Sequence, residues 1–158
     1  MVDKVTFRIE LDLEDVKASE RKNIKDDIGE FLIEAIKADA QSGRSPVTGR
    51  NFKQLTKKYA DKAKGGNRLA NLTLTEDMLN SLEYRRTVDG IEIGIFDSTE
   101  AKKADNHNKF SSESLTTPVP RRPFIPSLDR GENFRPGIRE ELNLIMDIYK
   151  EASNGDES

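Results

Sequence analysis

The chain has no cysteine, no tryptophan, a single histidine and no long apolar run. Each absence removes a class of function. Without cysteine there is no disulfide, no thiolate nucleophile and no zinc–thiolate site. With His107 as the only imidazole, a metal site built on paired histidines is excluded, and a lone histidine reads as structural. The stretch Asp105-Asn106-His107-Asn108 has a superficial look of a His-Asn-His nuclease motif, but that motif needs a second histidine. No serine sits in a nucleophile-elbow pattern, and Gly65-Gly66-Asn67-Arg68 lacks the Lys-Ser/Thr of a phosphate loop. No catalytic or metal-ligating set emerges, and no cofactor is expected. Met1-Val2-Asp3-Lys4 opens neither a signal peptide nor an apolar span, so the expectation is a soluble protein made in a cytoplasm, without a membrane partner.

Apolar residues are also scarce, at 34% against 35% charged. Over 158 residues this fits one domain with a modest core, long solvated helices, or surface that is covered only on assembly. The net charge of −3 conceals an asymmetry. Residues 44–68 hold eight basic side chains and one acid, Asp61, a local balance of +7, so the rest of the chain sums to −10. Arg50, Lys53, Lys57, Lys58, Lys62, Lys64 and Arg68 form a basic patch suited to phosphate or to an acidic partner.

Val5, Phe7, Ile9 and Leu11 alternate with polar residues, the period of a half-buried strand. A helix is expected over residues 15–39, with Ile24, Ile28, Phe31, Leu32, Ala35 and Ile36 on its core stripe and Ser42-Gly43 as its stop. Phe52, Leu55, Tyr59 and Ala63 recur at helical spacing with their apolar stripe turned inward. Thr75 reads as an N-cap for a short helix carrying Met78, Leu79 and Leu82. Residues 84–88 and 91–96 flank Asp89-Gly90, the pair favoured in a two-residue type I′ hairpin turn, which predicts a positive φ at Gly90. Residues 100–108 suit a short helix or a long loop, and the Ser/Thr-rich residues 110–117 read as mobile. From Gly137 a final helix carries Ile138, Leu142, Ile145, Ile148 and Tyr149, and residues 154–158 form a disordered acidic tail. The sum is one α+β domain over residues 1–153, a small antiparallel sheet with a hairpin, packed on one face by a long N-terminal helix and a C-terminal helix.

Four of the six prolines fall in Pro118-Val119-Pro120-Arg121-Arg122-Pro123-Phe124-Ile125-Pro126. They fix φ and remove four backbone donors, which excludes a helix or a central strand and leaves an extended edge strand or a surface clamp. Phe124 is expected to be a buried anchor, and Arg122 is suited to a bidentate carboxylate pair.

Several motifs together resemble a family of small tailed-bacteriophage proteins, the virion morphogenesis, tail-completion or neck proteins. Pro120-x-Arg122-Pro123-Phe124, downstream of His107 and before the last helix, is similar to that family's signature. Gly49-Arg50-Asn51-Phe52-Lys53-Gln54-Leu55 followed by Tyr59 and Lys62 resembles its loop and lysine-containing helix. Leu72-Thr73-Leu74-Thr75-Glu76-Asp77-Met78-Leu79-Asn80-Ser81-Leu82 resembles its leucine-rich approach to Thr-Gly-x-Leu, with Glu76 where glycine is expected. Ile93-Gly94-Ile95 and Ala104 to His107 match two further pieces, although Phe110 stands where the family has a glycine.

The resemblance spans residues 49–125. It implies a non-enzymatic structural protein of the virion neck, made in the host cytoplasm and forming a homo-oligomeric ring at the head-to-tail joint. Its partners are then the head connector or adaptor and the tail terminator or tail tube, with non-specific contact to passing DNA. His107, Phe110, Arg121, Arg122, Pro123 and Phe124 are the expected interface residues. A DNA-binding accessory protein using residues 44–68 is the alternative.

Overall fold

A computed structural model describes residues 2–52, 76–111, 114–116 and 120–155. Its elements are strand β1 (Val5–Glu10), a 3-10 turn (Ala18–Glu20), helix α1 (Arg21–Gln41), helix α2 (Glu76–Asn80), strands β2 (Leu82–Arg86) and β3 (Gly90–Ile95), helix α3 (Ser98–Asn108), 3-10 turns at Ser114–Thr116 and Leu128–Arg130, and helix α4 (Pro136–Gly155). The fold is α+β, as the patterning predicts. The expected helix carrying Leu55, Tyr59 and Ala63, the Thr75 cap, and Lys53, Lys57, Lys58, Lys62, Lys64 and Arg68 lie outside the described residues.

The three strands form an antiparallel sheet in the order β1-β3-β2. Pairing of Val5 and Leu82 with Ile95, and of Phe7 and Tyr84 with Ile93, gathers these side chains on one face. Ile91, Ile93 and Ile95 are all fully buried there. The opposite face carries Thr6, Arg8, Glu83, Arg85 and Glu92.

The hairpin exists, but its turn is one residue earlier than Asp89-Gly90. Arg86 pairs with Ile91, and the Thr87 N–H donates to the Gly90 carbonyl at 2.9 Å, so Val88 and Asp89 are the turn residues. Gly90 is not among the glycines with positive φ, which corrects the type I′ expectation. The third strand explains the shift. β1 draws Gly90 into the ladder opposite Glu10, and the Leu11 N–H reaches the Asp89 carbonyl at 2.8 Å. Gly90 is required for space: a Cβ there would lie 1.9 Å from the Ile9 carbonyl oxygen. Gly94 repeats the device with φ of +149°, where a Cβ would lie 2.2 Å from the Val5 oxygen.

Helix α1 lays Ile24, Ile28, Leu32 and Ile36 on the sheet, all fully buried. Gly29 admits the Tyr84 ring against the helix backbone, since a Cβ would stand 2.3 Å from the ring's Cγ. Gly43, with φ of +85°, ends the helix as expected. The start differs from the predicted Asp15. Val16 is buried and the Lys17 N–H donates to Ser153 Oγ at 2.8 Å, so this stretch folds back onto the end of α4 and helix begins only afterwards.

Residues 100–108 are helical within α3, whose Asp97 cap accepts from the Glu100 N–H at 2.9 Å. Pro136 opens α4 at the first helical position, where its missing donor costs nothing. The helix continues through Asn154 to Gly155, so the expected tail does not begin at residue 154. The Ser153–Lys17 bond fixes that last turn.

Residues 120–126 are no edge strand. They follow an irregular path through the interior, with Phe124 and Ile125 fully buried. Three prolines cannot supply a ladder's donors, and the N–H groups of Arg122, Phe124 and Ile125 are claimed by the end of α3.

Candidate functional site

The segment of residues 120–126 and the C-terminus of α3 form one hydrogen-bonded knot. A helix ends with carbonyls that have no intrahelical partner, and cations or stray N–H groups can satisfy them. Here three consecutive carbonyls are taken by arginines. The His107 oxygen accepts from the Arg122 backbone N–H at 2.7 Å, the Asn108 oxygen from Arg121 Nε at 3.0 Å, and the Lys109 oxygen from an Arg130 guanidinium nitrogen at 2.8 Å. Lys109 turns the chain at φ of 60°, the left-handed conformation common just past a helix end.

The fully buried Asn108 holds the strap itself. Its Oδ1 accepts from the Phe124 N–H at 2.7 Å and the Ile125 N–H at 2.9 Å, while its amide donates to the Ala104 carbonyl at 2.8 Å. Ser45 Oγ donates to the Pro123 carbonyl at 2.6 Å. Glu132 accepts from Ser127 N–H at 3.1 Å and pairs with Arg121 at 2.6 Å. A proline-rich run buried without such partners would leave costly orphan donors.

Asp105 organises the next turn. Its carboxylate accepts from the Phe110 N–H at 3.0 Å, the Ser111 N–H at 2.8 Å and the Ser111 hydroxyl. Ser114 is buried and its hydroxyl donates to the Ser111 carbonyl at 2.7 Å. The described residues of the stretch expected to be mobile are thus tied to α3, because Asp105 supplies the acceptors that their N–H groups need.

The sequence-predicted interface residues therefore meet in one place, at different depths. Arg122, Pro123 and Phe124 are buried, His107 is largely enclosed, and Arg121 and Phe110 are half-buried. His107 Nδ1 is buried with no hydrogen-bond partner. Burial, then the charges of Arg122 and Lys109, push its pKa down to about 4, so the ring is neutral near pH 7. Asn108 is the residue that sequence reading missed. The signal was present in the proline run, whose remaining N–H groups needed a side-chain acceptor, but nothing in the sequence said which.

Of the basic residues in the segment 44–68, Arg44 and the patch member Arg50 are described, and both are exposed in the loop after α1. Arg44 Nε donates to the Gly49 carbonyl at 3.1 Å. Arg135 closes this loop onto the body, with Nε 2.7 Å from Asp39 Oδ2, a second guanidinium nitrogen 3.2 Å from Oδ1, and its N–H on the Pro46 carbonyl at 2.8 Å.

The outer sheet face centres on Glu92, flanked in register by Arg8 and Arg85. Burial opposes its ionisation, but hydrogen bonds from Lys4 at 2.8 Å and Thr6 at 2.6 Å, with the charges of Lys4 and Arg8, outweigh it and hold the carboxyl below its usual range. Arg85 also covers the Phe96 ring at 3.9 Å from its centroid.

Among the described residues no group of three or more potential ligands is placed to hold a metal ion, and no helix is long and apolar enough to cross a membrane. No protein-family profile, curated protein or solved structure matches this chain.

Proposed function

We propose that this chain is a structural virion protein of the phage neck or tail-completion type. In this reading it acts without catalysis, assembling as a ring at the head-to-tail interface between the head connector or adaptor and the tail terminator or tail tube. One observation carries the reading. Two pieces of the family resemblance, Ala104 to His107 and Pro120 to Phe124, are separate in sequence but joined directly, by the 2.7 Å bond from Arg122 N–H to the His107 carbonyl. Pieces of a signature that also meet in space are easier to understand as one functional unit than as scattered coincidences.

The division of labour within that unit follows from depth. Phe124 and Asn108 set the shape, and the more open Arg121 and Phe110 present it to a neighbour. Exposed Arg44 and Arg50 extend the basic patch towards phosphate or acidic subunits. The test is complementation of a phage lacking the gene. Filled, DNA-packed heads without attached tails are the expected phenotype of the null, restored by the wild-type chain. Normal tail attachment in the null, together with tight, salt-dependent DNA binding by the purified chain, would instead support a DNA-binding accessory role.

A further inference from the structure

Helices α1 and α4 enclose an open groove of about 410 Å³ whose floor is apolar and whose rim is acidic. Phe31, Ile145 and Ile148 form the floor, and Asp27, Glu30 and Glu34 line the α1 side. A second hollow of about 270 Å³ continues past Ile148 and Tyr149 to Glu20 and Ala152. Glu20, Asp27, Glu30 and Glu34 recur at helical spacing, so the carboxylates run as one stripe along α1.

The apolar arc of α4 is wider than the core it covers. Ile148 is 64% exposed and Leu144 53% exposed, although Ile138 and Met146 on the same helix are buried. The field along the groove is negative. Burial, then a hydrogen bond to Asp27, then the charges of Asp27, Glu20 and Asp26 push the Tyr149 hydroxyl up to about 12.

A floor of this kind with this rim fits a cationic amphipathic segment. The chain itself encodes one. Leu55, Tyr59 and Ala63 recur at four-residue intervals, among Lys53, Lys57, Lys58, Lys62 and Lys64. Residues 44–68 carry +7 in a chain whose remainder sums to −10, so the two charges are complementary parts of one molecule.

We infer that the α1–α4 groove is a docking site for the cationic segment, residues 53–64, of a second copy of this chain. Leu55 and Tyr59 seat on Ile145, Ile148 and Phe31, and the lysines meet the Glu30–Glu34 rim. Because the groove and the segment are different surfaces, the contact is heterologous and a pair of copies keeps one free groove and one free segment. Repetition then builds a ring or a filament. The inference deepens the ring reading above and rests on it.

The absence of cysteine makes a direct test clean. Ile148→Cys and Lys58→Cys are combined in one full-length chain, and the protein is oxidised gently and run without reductant. A ladder of covalent dimers, trimers and higher species is expected. It should shrink at least tenfold when Glu30→Lys and Glu34→Lys are added, and it should weaken as salt rises. Both carboxylates are exposed, so these variants are expected to fold. A covalent monomer closed on itself would place the segment in its own chain's groove and overturn the inference. So would the absence of any crosslink, or a ladder indifferent to the charge reversals. The ladder bears on the interface alone. If it forms normally while a phage lacking the gene still attaches its tails, the contact stands and the neck reading fails.

Discussion

The knot at the end of α3 and the groove between α1 and α4 treat apolar residues in opposite ways. In the knot, Phe124 and Ile125 are fully enclosed, and the N–H groups of residues 122, 124, 125 and 127 all have acceptors. In the groove, Ile148 stays more than half exposed beside a row of carboxylates. The first arrangement stabilises a single chain. The second leaves apolar area uncovered among the described residues. On the docking proposal above, stability belongs to one region and association to the other, and mutations can separate them.

The largest effect is expected where the sheet that underlies both regions is broken. Gly90→Val or Gly94→Val drives a side chain into the β1 backbone, so either variant should fail to give a cooperative melt. A thermal melt within a few degrees of wild type would show that β1 does not press on β3 at these positions.

Next comes the knot. Phe124→Ala should cost about 3–5 kcal/mol, as expected for emptying a fully buried aromatic site. Asn108→Ala removes the acceptor for two buried N–H groups and should cost about 2–4 kcal/mol, read as a shift in denaturant midpoint at unchanged m. An Asn108→Ala protein as stable as wild type would mean that the strap holds by packing alone.

A smaller effect should come from His107. Its folded pKa of about 4 lies below the unfolded value of 6.5, so the unfolded chain binds the extra proton first. The contribution is complete above about pH 6.5 and is lost as pH falls towards about 4, amounting to up to about 3 kcal/mol. His107→Gln should flatten the stability profile in that window, measured by denaturation at stepped pH. An unchanged slope would place the titration elsewhere.

The smallest effect on the monomer belongs to the basic patch. Reversing Arg50, Lys57 and Lys62 to glutamate should shift stability by less than about 1 kcal/mol, since solvated charges contribute little. Infectivity should nevertheless fall. Full infectivity of the triple variant would reduce the patch to a solvated face.

Much of this was legible in the chain. The alternation of Val5, Phe7 and Ile9, the helical stripe from Ile24 to Ile36, and the isoleucine triplet of β3 are local patterns with one reading each. What escaped was set by contacts distant in sequence. The hairpin turn moved because β1, some eighty residues away, recruited Gly90 into its ladder. The proline run became an interior strap because Asn108 offered one carbonyl oxygen to two N–H groups. The last helix ran longer because Ser153 met Lys17. The knot residues His107, Phe110 and 121–124 were identifiable as a group, and Phe124 as its buried anchor, though the depths of the others were not. The groove was hidden for a different reason: the α4 stripe reads as core in sequence, and only the packing shows that it is broader than the core beneath it.

Sedimentation velocity over a rising concentration series tests the separation of stability from association most directly, with the wild-type chain beside Ile148→Glu. The wild type should shift to faster-sedimenting species as concentration rises, while the variant stays monomeric with an unchanged melting temperature. A variant that associates as the wild type does, or a wild type that remains monomeric throughout, would contradict the account.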